Sequence, residues 1–152
     1  MKTIIVSGVP GSGKSTHSAS IPGSVVCSAD DWFCQSGEYI FDFRELANAH
    51  GACLRKFLEA VVNEKEVVIV DNTNTTAEEI IPYYAVSAAY GREIELLTVL
   101  CDPIIAAARN KHTVPLEKVV AMAERLNNRV LPGYWSFNDK FSQRTIQSLE
   151  TR

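Results

Sequence analysis

The stretch Gly8-Val9-Pro10-Gly11-Ser12-Gly13-Lys14-Ser15 decides the fold of this 152-residue chain. It matches the pattern G-x-x-x-x-G-K-[S/T] at every position. A β-branched run at residues 2–7 precedes it, and a polar segment able to start a helix follows from Lys14. In such a unit the glycines permit a tight loop whose backbone N–H groups face a phosphate, and the helix N-terminus adds partial positive charge. We therefore predict that this loop, a P-loop, binds a nucleoside triphosphate by its phosphates.

Each residue type in the P-loop has an expected contact with the nucleotide. Lys14 is expected to bridge the β- and γ-phosphates, serving both binding and catalysis, and the hydroxyl of Ser15 is expected to bind Mg²⁺. Thr16 adds a further polar side chain close to the phosphates. The predicted cradle comprises Gly8, Pro10, Gly11, Ser12 and Gly13. A chance match in an ordinary strand–helix turn is the alternative, and the flanking strand and helix argue against it.

Strand and helix patterns alternate along the rest of the chain. Further short strands are predicted at residues 24–28, 66–71 and 94–100, and helical spacing or helix-start signals lie between them. This alternation predicts an α/β fold in three layers, with a four- to five-stranded parallel sheet and helices on both faces. Ligands of such sheets bind at the carboxyl ends of the strands. We predict one domain over 1–131 and a C-terminal tail over 132–152, unassigned in secondary structure, that packs on the sheet or binds a partner.

Acidic residues follow two of these strands. Asp71 ends the third strand, where P-loop proteins place an acid that holds Mg²⁺ through water. A turn or helix-capping aspartate is the alternative there. Asp30 and Asp31 end the second strand, and a carboxylate at that place suits a base that takes a proton from an attacking hydroxyl. We assign Asp30 as the base and Asp31 as a helix cap or supporting residue, with the reverse assignment open.

Cations that neutralise the charge of phosphoryl transfer are expected after the fourth strand. Residues 109–115 form a polar, cationic link between two predicted helices and fit a short lid, with Arg109 as its catalytic cation. Arg125 and Arg129 lie one helical turn apart and are able to point back towards the nucleotide, and we assign Arg125 to nucleotide binding. The alternative for these arginines is a solvated surface position.

The composition of the chain argues against several classes of protein. The formal net charge of −3 gives no support for a strongly basic, nucleic-acid-coating surface, although it leaves a nucleic-acid substrate open. The four cysteines are far apart in the sequence, which disfavours a metal site and favours free thiols. Because no hydrophobic run reaches the length of a membrane helix or signal peptide, we expect a cytoplasmic protein with no membrane partner. No sequence feature sets the oligomeric state.

Together these motifs resemble the 5′-kinase domain of phage-type polynucleotide kinases and the short P-loop kinase domains related to it. The resemblance covers about residues 1–130 and rests on the P-loop, residues 28–32, residues 68–74, Arg109-Asn110 with Val114-Pro115, and residues 122–125. It implies an adenylate-kinase-like P-loop NTPase fold with a short lid, and transfer of the ATP γ-phosphate to a 5′-hydroxyl of DNA or RNA. Lys14 and Ser15 would serve ATP·Mg²⁺, Asp30 would be the general base and Arg109 a lid arginine.

The sequence differs from that family in two features, and both affect the expected binding of the acceptor. Phe33 stands where the phage kinases carry an arginine that grips the acceptor phosphate, and the lid is shorter, with fewer cations. A second hypothesis is therefore a small-molecule kinase acting on a nucleoside, sugar or antibiotic. A third is a nucleotide-binding switch without transfer activity. The aromatic side chains of Trp32, Phe33, Tyr39 and Phe41 are expected either to stack a base or to belong to the core.

Overall fold

The protein is built around a parallel β-sheet, seen in a computed structural model that describes residues 1–148. Within those residues the strands are β1 (Lys2–Ser7), β2 (Val25–Cys27), β3 (Val67–Asp71), β4 (Glu93–Leu100) and β5 (Phe141–Gln147). The α-helices are α1 (Lys14–Ala19), α2 (Asp30–Phe33), α3 (Leu46–Val62), α4 (Ala77–Ala89), α5 (Pro103–Arg109) and α6 (Leu116–Asn127). Short 3₁₀ turns cover Phe43–Glu45 and Gly133–Phe137.

The strands run in the order β2-β3-β1-β4-β5, and each neighbouring pair is parallel. The central strand β1 is bonded on both sides, with Ile4 opposite Ile69 of β3 and Glu95 of β4. All carboxyl ends therefore meet at one edge, which is where parallel sheets place their ligands. The predicted α/β fold with a four- to five-stranded parallel sheet is confirmed.

Alternating side chains of the sheet build a core on each face, as the period of two along a strand requires. On one face Ile5, Val68 and Val70 pack in a large cluster with residues of α3 and α4, including Phe57 and Tyr83. On the other face a smaller cluster contains Ile4, Val6, Ile69, Leu97 and Val99. The short helix α1 packs against β1 and β3 beside the P-loop. A third cluster joins Val9 of the P-loop to Ala106 of α5 and Val119 of α6.

Local signals in the sequence explain where the helices begin. Thr76 caps α4, and the Thr76 and Glu79 side chains each bind the other residue's backbone N–H, which is the expected capping box. Asp102 caps α5 by accepting hydrogen bonds from the backbone N–H groups of Ile104 and Ile105, and Pro103 occupies the first turn. These caps place each helix directly after a strand, so the loops at the carboxyl edge are short.

The segment after residue 131 enters the sheet. Its strand β5 pairs along its whole length with β4, from Ile94–Phe141 to Leu100–Gln147. Ahead of it, Trp135 is 1% exposed and stacks on Tyr84 of α4, with ring centroids 3.9 Å apart. This segment was the predicted tail, of which residues 149–152 lie outside the described part. Residues 141–147 are thus a strand of the sheet itself, and Trp135 ahead of them packs against α4.

The structure also shows the state of the cysteines and the character of the helices. The four cysteines carry free thiols: Cys27 and Cys53 are buried, Cys101 is half-buried and Cys34 is exposed. Among the helices of residues 1–148, none combines the length and the apolar character needed to cross a membrane.

Candidate active site

The P-loop leaves β1 at the centre of the sheet and leads into α1. An added Cβ at Gly8 would lie 2.8 Å from the carbonyl oxygen of Val99 and 2.7 Å from the Ser12 hydroxyl, so no larger residue fits there. Gly11 has a φ of +81°, and an added Cβ would overlap the carbonyl group of Ala106. The loop therefore needs glycine at Gly11 for its backbone conformation and for its close approach to α5.

Lys14 is the first residue of α1 and is 9% exposed. Its Nζ donates a hydrogen bond of 2.9 Å to the carbonyl oxygen of Val9, which also accepts from the backbone N–H of Ser12 at 3.1 Å. Burial lowers the pKa of Lys14, whereas the charges of Asp71 and Asp30 act to raise it. The ammonium is thus bound to the P-loop backbone and buried, and it feels the charges of carboxylates at two other strand ends.

Asp71 ends β3 and is 7% exposed. Burial raises the pKa of Asp71, against the lowering effect of Lys14 and of the nearby hydroxyls of Ser15 and Ser18. A hydroxyl near a carboxylate provides the kind of oxygen ligands that Mg²⁺ prefers. Within residues 1–148 no three His, Cys, Asp or Glu side chains cluster as a metal site. Ser15 and Asp71 therefore fit a Mg²⁺ ion that takes its other ligands from nucleotide and water.

The pair Asp30 and Asp31 forms the first turn of α2, immediately after β2. The expectation that Asp31 caps this helix is wrong, because Ala29 is the N-cap residue and the Ser28 hydroxyl accepts from the backbone N–H of Asp30 at 3.2 Å. Asp31 instead lies 3.4 Å from Nζ of Lys56 on α3. The turn is fixed to the sheet by Asn72, whose Oδ1 accepts from the backbone N–H of Ala29 at 2.8 Å.

The Asp30 carboxylate is about half exposed and has a neighbouring side chain at each oxygen. The Tyr39 hydroxyl donates to Oδ1 at 3.4 Å, and Nε2 of His112 lies 3.6 Å from Oδ2. The rings of Tyr39 and His112 stack on each other, with centroids 3.8 Å apart and planes at 28°. Sequence reasoning placed His112 in the lid without assigning it a role and left Tyr39 between stacking and core. No local sequence pattern could predict the contact between Tyr39 and His112, because 73 residues separate them in the chain.

The three arginines singled out from the sequence lie in different surroundings. Arg109, in the last turn of α5, donates through Nη2 to Cys101 Sγ at 3.1 Å and to the Ser148 hydroxyl at 2.6 Å. That hydroxyl lies 3.8 Å from where a Cβ of Gly13 would stand, so Arg109 is at the rim of the P-loop. Arg125 is exposed and its Nε lies 3.5 Å from the Thr75 hydroxyl, behind the end of β3.

Arg129 joins three strand ends. Its Nη1 donates to the Ser7 hydroxyl at 2.6 Å and to the carbonyl oxygen of Asn74 at 2.7 Å, and its Nη2 donates to the Thr98 hydroxyl at 3.1 Å. Burial lowers the pKa of this guanidinium. These bonds direct Arg129 to the protein's own strand ends, below the crevice.

A family profile described as "AAA domain" (AAA_33) matches residues 4–128. This chain belongs to that family. It is thus a P-loop kinase-type domain, as the P-loop on the central strand and the parallel sheet also indicate.

Known proteins share parts of this AAA_33 domain. NEDD4-binding protein 2 of Homo sapiens is 33% identical over 129 residues, a match that covers 80% of this chain and 7% of that protein. A chain of the Pnkp1/Rnl/Hen1 RNA repair complex has the same fold with a TM-score of 0.67 and 16% identity, covering 84% of this chain and 44% of that one. A gluconokinase from Sinorhizobium meliloti 1021 superposes with a TM-score of 0.54 and 16% identity, covering 98% and 83%. At these identities the two structural likenesses establish a shared fold.

Proposed function

We propose that this AAA_33 domain is an ATP-dependent kinase that transfers the γ-phosphate to a 5′-hydroxyl end of DNA or RNA. The observation that carries the proposal is the position of Asp30 in the first turn of α2, at the carboxyl edge of the sheet where the P-loop and Asp71 also lie. The charge of Asp30 acts on the pKa of Lys14, and we infer that this carboxylate faces the γ-phosphate from the acceptor side. That is where an acceptor hydroxyl needs a base.

On the donor side, the P-loop backbone would cradle the phosphates, and Lys14 would exchange its bond to Val9 for the β- and γ-phosphate oxygens. Ser15 and Asp71 would hold Mg²⁺, which supplies positive charge to the phosphates when bound. We assign Arg109 to the transferring phosphate from the rim of the P-loop, and Arg125 to the nucleotide. The remaining cradle residues, including Thr16, complete the phosphate contacts.

The transfer step needs one proton acceptor. The acceptor hydroxyl gives its proton to the Asp30 carboxylate as its oxygen forms a bond to the γ-phosphorus. The bond between that phosphorus and the bridging oxygen of the β-phosphate breaks, and ADP leaves with the electron pair. Because the transition state is largely dissociative, most of the acceleration comes from positioning and from the surrounding cations.

Aromatic side chains beside Asp30 support a nucleic-acid acceptor. Tyr39 contacts Asp30, and the same connecting segment carries Phe41 and Phe43, which are 53% and 72% exposed. Exposed aromatic rings stack bases of any sequence. We infer that the 5′-terminal base lies on this surface while its hydroxyl faces Asp30.

A small-molecule acceptor is the second candidate, and Phe33 favours it. This side chain is 6% exposed and packs against Phe41, with ring centroids 5.1 Å apart. The position that grips an acceptor phosphate in phage-type kinases is therefore a core position here. An acceptor without a phosphate next to its hydroxyl, such as a nucleoside, fits that arrangement.

The test is transfer of labelled γ-phosphate from ATP·Mg²⁺ to single-stranded DNA and RNA with 5′-hydroxyl ends, beside a nucleoside and a sugar. Asp30→Asn is expected to lower kcat by about 10²–10⁴-fold, the usual contribution of a general base. Asp31→Asn is the matched control, because it changes the adjacent carboxylate of the same helical turn. Lys14→Ala reports on donor binding.

The outcomes separate the candidates. Labelling of oligonucleotides that depends on Asp30 supports the proposal. Labelling of only the nucleoside or the sugar would instead support the second candidate, a small-molecule kinase. If ATP binds and no acceptor is labelled, the kinase proposal is wrong and a nucleotide-dependent switch replaces it. Loss of activity in Asp31→Asn with retention in Asp30→Asn would move the base to Asp31.

A further inference from the structure

The lid between α5 and α6 is a closed loop bound to itself. The Asn110 side chain accepts from the backbone N–H of Val114 at 2.8 Å and donates to the carbonyl oxygens of Val114 and Ala107, at 3.1 and 2.8 Å. Thr113 has a φ of +55°, which lets the loop turn back within four residues. A loop held by three hydrogen bonds from one side chain is expected to move as a unit.

The base of this lid rests on the P-loop. An added Cβ at Gly11 would lie 3.0 Å from the backbone nitrogen of Asn110 and would overlap the Ala106 carbonyl group. Ala106 is fully buried, and its carbonyl oxygen accepts from the backbone N–H of Asn110 at 2.9 Å. The donor-side loop and the start of the lid are therefore in direct contact, without an intervening side chain.

The tip of the lid reaches the acceptor side. His112 lies against the Tyr39 ring and 3.6 Å from Asp30. Tyr39 is itself held in place, because its ring meets Phe33 edge-on at 6.0 Å and the neighbouring Ile40 N–H donates to the Phe33 carbonyl oxygen at 2.9 Å. The lid thus touches the P-loop at one end and the candidate base at the other.

We propose that His112 and Tyr39 are positioning residues that orient the Asp30 carboxylate and couple its position to the P-loop through the lid. The proposal rests on the kinase function proposed above. Each carboxylate oxygen has two lone-pair directions. Tyr39 donates to Oδ1 and the His112 ring lies 3.6 Å from Oδ2, so each oxygen has one neighbour and keeps room to accept the proton of the acceptor hydroxyl.

The pKa of Tyr39 is consistent with its role as a hydrogen-bond donor to Asp30. Burial, and then the charge of Asp30, raise the pKa of Tyr39 to about 12. The hydroxyl therefore stays protonated at neutral pH and serves as a hydrogen-bond donor to the carboxylate. The stacked rings add contact that depends on both side chains, so loss of either ring should release the lid tip.

Steady-state kinetics on graded variants test the proposal. His112→Ala is expected to lower kcat by about 10- to 100-fold, the scale of a small misplacement of a catalytic group, with KM for ATP changed less than about twofold. His112→Phe keeps the stack and should recover part of that loss. Tyr39→Phe keeps the stack and removes the hydroxyl, so it should cost less than Tyr39→Leu. Tyr90→Leu, at an exposed tyrosine closing α4, is the matched control.

Two kinetic results would overturn the coupling. One is a wild-type kcat in His112→Ala. The other is additive losses in the Tyr39→Leu, His112→Ala double variant, because residues that act as one unit are non-additive.

A readout without turnover separates this proposal from the kinase function. NMR of the full chain, which contains three histidines, should show the His112 ring protons shifted upfield by the stacked Tyr39 ring, and Tyr39→Leu should remove that shift. Absence of the shift in the wild type overturns the stack whether or not transfer is seen. A clear shift in a protein that phosphorylates no acceptor supports the lid contact but defeats the kinase function and the catalytic part of the pair.

Discussion

Lys14, the first residue of α1, and Asp71, the last residue of β3, are both buried, and the charge of each offsets part of the cost of burying the other. Burial still dominates for both, since it lowers the pKa of Lys14 and raises that of Asp71. A buried pair of this kind does little for stability by itself. The two charges are better explained by the ligands they would bind. A polyphosphate complements the charge of Lys14, and a divalent cation complements the charge of Asp71.

We predict that Asp71→Asn stabilises the ligand-free protein at neutral pH. The pKa of Asp71 is raised in the folded state, so the folded protein holds this proton to higher pH than the unfolded chain. The associated stability is present below the ordinary aspartate pKa and is lost as pH rises through the raised value. The difference in melting temperature between Asp71→Asn and wild type should therefore grow from pH 4 towards pH 8.

The same variant gives a second readout with nucleotide. ATP·Mg²⁺ should raise the melting temperature of the wild type, and Asp71→Asn should lose the part of that rise that depends on Mg²⁺. Equal melting temperatures for the two proteins across the pH series would show that Asp71 is not destabilised by burial.

Gly11→Ala should disrupt the P-loop through two effects. The positive φ of Gly11 strains an alanine by about 1–2 kcal/mol, and the overlap with the Ala106 carbonyl adds about 1–3 kcal/mol of overpacking. Gly37→Ala is the matched control, because its φ is +85° and no atom lies within 4 Å of an added Cβ. Urea unfolding should show the larger loss for Gly11→Ala, and equal losses would rule out the contact with α5 as a cause.

Arg129→Met should destabilise the protein by about 2–4 kcal/mol, because it leaves hydrogen-bonding groups of three strand ends without their charged donor. Arg125→Met, one turn earlier on an exposed position, should stay within about 0.5 kcal/mol of wild type in stability and raise KM for ATP. Denaturant unfolding checks both stabilities. A stable Arg129→Met with weakened nucleotide binding would return Arg129 to the donor site.

Trp135→Ala should cost about 3–5 kcal/mol, since it removes a fully buried aromatic ring that stacks on Tyr84. Phe137→Ala is the control, because that side chain is 89% exposed two residues away. Its stability should lie within about 0.5 kcal/mol of wild type. Similar stabilities for the two variants would mean that the segment after Pro132 contributes little to the fold.

The sequence predicted those parts of the fold whose cause is local. The P-loop glycines, the apolar run of β3, the capping box at Thr76 and the proline in the first turn of α5 each act within a few residues. The strand β5 escaped prediction because it is a polar edge strand, in which only Phe141 and Ile146 are partly buried. An edge strand of that kind is specified by its pairing with β4 and not by its own alternation.

Only the local features of the candidate site could be predicted from the sequence. The strand pattern predicted that Asp30 and Asp71 lie at the same edge, because a parallel sheet brings all its carboxyl ends together; their roles stay predictions. The contacts of Arg129 with Ser7 and of His112 with Tyr39 join distant parts of the chain. Side-chain contacts across such separations depend on packing in three dimensions, which periodicity does not encode.

The order of the strands has a consequence during synthesis. Strand β1 is synthesised before both of its hydrogen-bonding neighbours, β3 and β4. The backbone N–H of Gly8 donates to the Thr73 carbonyl oxygen, and the Val99 carbonyl oxygen closes the other side of that glycine. A nascent chain that ends before β4 therefore lacks one wall of the nucleotide site. The P-loop, which is made before either of these strands, therefore gains its full surroundings only after β4 is added.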